Sequence, residues 1–322
     1  LFDEGWRLLN NDFYDARLHG VDWYAMRARY RPLVEHCWTK GDLILLMQEL
    51  VGELNASHLG VGGSAPGTPI TGPQTGALGV ELDEKHAGPG VRITRVIKNG
   101  PADRGDARLF PGDVILKVAD TAITHIEQLH HAMLNRGETA VALTIAHRPG
   151  DEGVPLTFTP RNRTPYLDLL YQEWVETNRA RVRELSGGRL GYLHIKEMNP
   201  AALARFQREI FGREGAQEGV VLDVRYNPGG RIHDELLALL RKPHVFEYMR
   251  GTPGHPQPRP IYLKPMVLLI NQNSGSDAEI FPNGFRSYGN GKLIGVPTYG
   301  AVIGTTTAPL SDGTFFRLPR TG

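Results

Sequence analysis

Met266-Val267-Leu268-Leu269-Ile270-Asn271-Gln272-Asn273-Ser274-Gly275-Ser276-Asp277-Ala278-Glu279-Ile280-Phe281 is the stretch that decides how this chain folds. The apolar run Met266 to Ile270 reads as a buried strand, the Asn, Ser and Gly residues after it as a tight turn, and Asp277 to Phe281 as the start of a helix. That succession lifts Ser276 to an exposed helix N-terminus, beside backbone N–H groups that have no intrahelical partner. A hydroxyl in this setting can attack a carbonyl while the neighbouring N–H groups receive the oxyanion. The same residues also suit an ordinary turn with a helix cap, so the rest of the chain must decide between the two.

Upstream of this stretch, Leu190 to Ile195 reads as a strand, Pro200 to Phe211 as a helix and Gly219 to Arg225 as a second apolar strand. Strand, helix and strand in that order predict a βαβ unit with parallel neighbours. Tyr226-Asn227-Pro228-Gly229-Gly230 follows the second strand and leads into a helix from Ile232 to Leu240. Paired glycines at a strand-to-helix turn let the backbone present bare N–H groups to a cleft, although a purely structural turn looks the same. Successive parallel strands place their C-terminal turns on one edge, so the Gly229 turn and Ser276 are expected to face a common crevice.

Residues 1 to about 56 carry helical stripes: Trp6, Leu8, Leu9 and Phe13; Trp23, Met26 and Tyr30; and Leu43, Leu46, Met47, Leu50 and Leu54. These stripes are expected to be core. They run into Asn55-Ala56-Ser57-His58-Leu59-Gly60-Val61, where a polar pair interrupts apolar neighbours. From Gly62 to Gln74 the composition shifts to Gly, Pro, Ser and Thr, the mark of a linker and a domain boundary. Beyond it, Gly90 to Val96, Asp113 to Val118 and Ala140 to Ala146 read as strands and Ile126 to Leu134 as a helix. Pro160 to Pro165 marks a second boundary, followed by an amphipathic helix from Tyr166 to Glu184.

Length and composition narrow the function classes. The chain has 322 residues, enough for two or three domains, and a formal net charge of +1. Such a balance gives no dominant attraction to nucleic acid or to an anionic membrane. The single cysteine, Cys37, excludes an internal disulfide framework, leans to a reducing compartment and is expected to be a small core residue. No apolar run has membrane-spanning length and no signal-peptide pattern opens the chain, while Leu1 in place of Met points to a trimmed start. No metal cluster is evident: His125, His130, His131 and His147 fall in or beside the middle segment, and the His130-His131 pair reads as solvated. No phosphate-binding glycine loop is seen, so no cofactor is expected.

Two resemblances organise these fragments. The middle segment resembles a PDZ domain of the kind found in bacterial and archaeal proteases, through Ala77-Leu78-Gly79-Val80, Asn99-Gly100-Pro101-Ala102 and Pro111-Gly112-Asp113-Val114-Ile115-Leu116-Lys117-Val118. The resemblance implies a peptide added to an open sheet edge, its terminal carboxylate held by the loop at Leu78, Gly79 and Val80. Asp223 to Gly230, Gly275-Ser276-Asp277, and Gly291-Lys292-Leu293-Ile294-Gly295 through Gly300 to Gly304 together resemble the C-terminal processing peptidase superfamily. Ser57-His58 ahead of a PDZ insert is most similar to its tricorn branch.

The implied fold is α/β: a crotonase-like (ClpP-like) α/β layer domain with an N-terminal helical subdomain and an inserted PDZ-like domain. The expected divisions are residues 1–64, 65–164 and 165–322. The resemblance implies that Ser276 is the nucleophile, His58 the general base and Ser57 the group that orients the imidazole, with the N–H groups of Gly229 and Asp277 as oxyanion hole. Gly229 is preferred to Gly230, a choice the sequence does not settle. It further implies peptide or unfolded-protein substrates, a homo-oligomer of hexameric form, and a cytoplasmic location.

Two departures from that pattern stand out. Relatives carry a glutamate well downstream of the nucleophile that supports the orienting serine, and none of Asp277, Glu279 and Asp312 fits that role. After Asp312 no domain-closing strand is evident, and the expectation is a tail beyond the last residue. Relatives also carry β-propellers ahead of the helical subdomain, and no such repeats occur here. The readings that remain are a serine peptidase, a catalytically inactive PDZ-containing scaffold, and an acyl-CoA enzyme on the crotonase-like layer, the last opposed by the PDZ segment and the Ser-His pair.

Overall fold

The computed structural model describes residues 1–63, 75–105, 108–148, 150–240 and 262–321. The expected linker from Gly62 to Gln74 falls largely outside these residues. Two compact units divide the chain: Leu1–Thr68 with Val182–Gly322, and Pro69–Arg181.

The first unit opens with helices α1 (Phe2–Asp12), α2 (Trp23–Tyr30) and α3 (Lys40–Gly52), then the short strand β1 (Gly60–Gly62). Thr39 and Asp42 form a capping box that starts α3. The buried indoles of Trp6 and Trp23 satisfy each other's backbone: Trp6 Nε1 donates to Trp23 O at 2.9 Å and Trp23 Nε1 to Trp6 O at 3.1 Å. The predicted stripes are core, with Leu9, Phe13, Met47, Leu50 and Leu54 buried. Cys37 is not: it is half-buried at the end of a short 3₁₀ turn. Burial and the nearby charge of Asp42 nevertheless push its thiol pKa up.

The second unit comprises β2 (Val80–Leu82), β3 (Val91–Val96), β4 (Val114–Val118), β5 (Thr121–Ala122), α4 (Ile126–Ala132), β6 (Val141–Ala146) and β7 (Val154–Phe158). Helix α5 (Arg163–Leu185) begins in this unit and ends in the first. The antiparallel sheet runs β2-β3-β4-β6-β7, with β5 paired to β4. Its alternating inward residues, among them Ile93, Ile115, Leu143 and Ile145, make a core of their own. The turn before β4 is built around buried Asp113, whose carboxylate accepts from Phe110 N at 2.8 Å and from His147 Nδ1 at 2.9 Å.

The first unit resumes with β8 (Leu190–His194), α6 (Pro200–Ile210), β9 (Gly219–Asp223), α7 (His233–Leu240), β10 (Met266–Ile270), α8 (Asp277–Ser287), β11 (Gly291–Gly295), β12 (Gly304–Pro309) and β13 (Phe315–Thr321). The predicted parallel sheet is present in the order β11-β10-β9-β8. Its register sets His194 beside Asp223, Leu269 beside Asp223, and Ile270 beside Gly295, so all four C-terminal ends share one edge. Buried Leu222, Leu268, Phe281 and Phe285 fill the space between sheet and helices.

One expectation is overturned. A strand does follow Asp312: β13 is the middle strand of a separate three-stranded sheet, β1-β13-β12, pairing antiparallel with both neighbours. Its Phe316 and Leu318 are fully buried in the N-terminal helical core. The last strand therefore ties the segment that carries His58 to the far end of the chain.

Candidate active site

The turn between β10 and α8 is locked before it reaches Ser276. The buried Ser274 Oγ donates to Val224 O at 2.8 Å and accepts from Asn271 N at 3.1 Å. Asn271 Oδ1 accepts from Tyr226 N at 3.0 Å, and Gly275 N donates to Asn227 O at 2.9 Å. Held on both sides, Ser276 takes φ 54° and ψ −119°, a region costly for a residue with a Cβ. Its N–H donates to Glu279 Oε2 at 2.8 Å, and the same carboxylate receives Gly300 N at 2.6 Å and Ala301 N at 2.9 Å. Burial works to raise the pKa of Glu279, but these donors and the Thr298 side chain outweigh it and hold the carboxyl below its ordinary value.

His58 arrives from the other sheet. It has φ 64° and precedes β1, whose Gly60 pairs with Arg317 of β13. Its Nε2 lies 3.1 Å from Ser276 Oγ, and its Nδ1 lies 3.0 Å from Ser57 Oγ. For Nε2 to accept the Ser276 proton, Nδ1 must carry the imidazole hydrogen and donate it to Ser57. Burial lowers the His58 pKa, Arg317 lowers it further, and Glu279 opposes both. The imidazole is thus kept in the neutral form that can take a proton.

The third piece is the turn after β9. Asn227 is fully buried; its Nδ2 donates to Ile195 O at 2.8 Å and its Oδ1 accepts from Gly229 N at 2.8 Å. Gly229 sits at φ +103°, and a Cβ there would lie 2.7 Å from Ser276 Cβ and 2.9 Å from Asp277 N. Only glycine keeps that space open beside the Asp277 N–H. The Gly229 N–H is engaged with Asn227, whereas among the described residues the N–H groups of Gly230 and Asp277 have no hydrogen-bond acceptor.

Ser57, His58, Gly229, Ser276 and Asp277 are therefore brought together in the first unit. Leu78, Gly79 and Val80 line a separate cavity of about 640 Å³ in the second unit, with Leu129 and Met133 on its apolar wall. The carbonyls of Leu78 and Gly79 are used up, accepting from Ala102 N at 3.0 Å and Ile97 N at 2.8 Å, and Gly79 has φ +78°. Strand β2, which follows this loop, is an edge of its sheet.

Residues 189–321 match peptidase family S41, residues 1–52 the tricorn protease C1 domain and residues 69–146 the PDZ domain. The chain thus carries an S41 peptidase domain, a tricorn C1 domain and a PDZ domain. It is 33% identical over 332 residues to tricorn protease homolog 1 of Streptomyces coelicolor, covering 99% of this chain and 30% of that protein. Tricorn protease of Thermoplasma volcanium is 29% identical over 337 residues, again 99% of this chain and 31% of the relative. The crystal structure of the tricorn protease superposes with a TM-score of 0.74 at 24% identity, over 99% of this chain and 31% of that one. The chain spans about a third of the length of these relatives.

Three features of this site were not foreseen from the sequence. Glu279 reads only as an early helical carboxylate, yet it latches Ser276 to the loop at Gly300 and Ala301. Arg317 comes beside the His58 segment only through the β1–β13 register. The Asp277 side chain, considered only for its charge, accepts from Ile232 N at 2.7 Å, His233 N at 3.2 Å and His233 Nδ1. The signal available for the last was weak: an Asp at a helix start and a His at the start of another.

Proposed function

We propose that this chain is the peptidase core of a serine endopeptidase that cleaves peptides or unfolded proteins through an acyl-enzyme on Ser276. The observation that carries this reading is the chain of contacts from Ser57 Oγ to His58 Nδ1 at 3.0 Å and from His58 Nε2 to Ser276 Oγ at 3.1 Å. His58 Nε2 takes the Ser276 proton as Oγ bonds to the scissile carbonyl carbon. Asp277 N–H and the Gly229-Gly230 turn receive the oxyanion; Gly229 N–H can do so by leaving Asn227, and Gly230 N–H is already unengaged. The imidazolium then gives its proton to the leaving amine as the C–N bond breaks. Water, deprotonated by His58, attacks the ester and frees Ser276. Ser57 holds the imidazole tautomer throughout.

The working division is a helical subdomain at 1–64 carrying Ser57 and His58, a PDZ-like domain at 65–164, and an α/β catalytic domain at 165–322. In the PDZ-like domain the loop Leu78 to Val80 receives a peptide end and positions substrate. By resemblance to tricorn proteases we further propose a homo-oligomer, hexameric in form, in the cytoplasm. No helix among the described residues is long and apolar enough to cross a membrane. The decisive test compares the protein with its Ser276→Ala variant on fluorogenic peptides and an unstructured protein. Hydrolysis should fall by at least about a thousandfold; equal hydrolysis by both would remove Ser276 as nucleophile. An unmodified protein that neither hydrolyses nor reacts with a fluorophosphonate would instead be a peptide-binding scaffold.

A further inference from the structure

We propose that the carboxylate of Asp277 and the imidazole of His233 form a clasp that sets the width of the oxyanion hole, making His233 a positioning residue for the reaction. The inference rests on the peptidase reading above and concerns the same site. Asp277 is 2% exposed, and a carboxylate so buried persists only where donors replace the water it has lost. Its donors are Ile232 N at 2.7 Å, His233 N at 3.2 Å and His233 Nδ1. All of them belong to the few residues that follow Gly229 and Gly230 and open α7.

One residue therefore serves both halves of the hole. Its backbone N–H is the donor on the nucleophile side, and its side chain holds the end of the opposing turn. Asn227 fastens the start of that turn, through Gly275 N to Asn227 O at 2.9 Å, and Asp277 fastens its end. A hole suspended between two such ties has its aperture fixed before substrate arrives, which is where such donors gain most of their effect. Displacements of about 1 Å in such a constellation are costly to rate while leaving ground-state binding alone.

The plainer alternative is that Asp277 merely caps α7. A cap stabilises the helix but has no reason to act on the transition state selectively, so the two readings separate in kinetics. The experiment uses the full chain with His233→Ala and His233→Asn. Both are assayed for kcat and KM on a fluorogenic peptide, for inhibition by a peptide aldehyde whose serine adduct places an oxygen in the hole, and for melting temperature. Uncleaved peptide binding is measured on a Ser276→Ala background.

His233→Ala should lower kcat about tenfold, with KM and peptide affinity within about twofold, and weaken the aldehyde by the same factor as kcat. His233→Asn, whose amide can still donate to the Asp277 carboxylate, should recover most of both losses. Unchanged kcat and aldehyde affinity in His233→Ala overturn the clasp, as does a loss that follows only the melting temperature or one that His233→Asn fails to restore. If the unsubstituted protein neither cleaves peptide nor is labelled at Ser276 by a fluorophosphonate, the peptidase reading itself fails and the clasp with it.

Discussion

His58 works against its surroundings, because burial and the charge of Arg317 both disfavour the protonated imidazole while Glu279 favours it. A general base acts in its neutral form, so the acid limb of the kcat/KM profile should fall below the ordinary histidine value of 6.5. Replacing Arg317 with Gln removes a cation that opposes protonation, and the pKa must rise. The variant should lose activity at mildly acidic pH while its alkaline plateau changes by no more than about twofold. Profiles of kcat/KM against pH for the two proteins check this, and an acid limb that stays put or moves down refutes it. Ser57 and His58 stand out in the sequence as a polar pair interrupting apolar neighbours, and Ser276 as the residue at the junction of a polar turn and a helix start. Glu279, His233 and Arg317 do not, since their meaning lies in partners that only the fold supplies: Glu279 reaches Ala301 across 22 positions and His233 reaches Asp277 across 44.

The elements divide the same way. Strands β8, β9 and β10 were readable because a parallel sheet covered by helices demands continuous apolar runs, which these segments have. Strands β12 and β13 were not. The first is mostly exposed and threonine-rich, and the second contains Pro319, a residue that argues against a central strand. What makes β13 a strand is burial of alternate residues against the N-terminal helices. Phe316 is fully buried there, under Gly5, where a Cβ would lie 2.5 Å from its ring. Phe316→Ala should cost about 3–5 kcal/mol. Because β13 holds β1, and β1 follows His58 by one residue, the loss should not be confined to stability. Activity measured well below the melting temperature should fall as well. A variant that melts earlier but keeps full kcat/KM would show that β13 does not position His58.

At the scale of the whole chain, the strand-helix-strand order pointed to an α/β layer with parallel strands, while the PDZ-like part came from the resemblance of its motifs to a known domain. What each part does when loaded with ligand is not written there. The core of the second unit, built from Leu78, Ile93, Ile115, Leu143 and their neighbours, lies wholly within Pro69–Arg181. A unit with its own core unfolds as its own cooperative step, so calorimetry of the Ser276→Ala variant should resolve more than one transition. If the cavity beside Leu78, Gly79 and Val80 holds the end of a peptide, ligand binds the folded form of this unit alone. At a hundredfold excess over Kd, a peptide with a free apolar C-terminus should then stabilise that transition by about 2.7 kcal/mol. The other transitions should not move. The same peptide with its C-terminus amidated lacks the carboxylate that the loop N–H groups would receive and should leave every transition in place. Equal stabilisation by the amidated peptide would mean that the apolar wall of Leu129 and Met133, and not the loop, does the binding; no stabilisation by either peptide would leave this unit without the substrate-positioning role given to it.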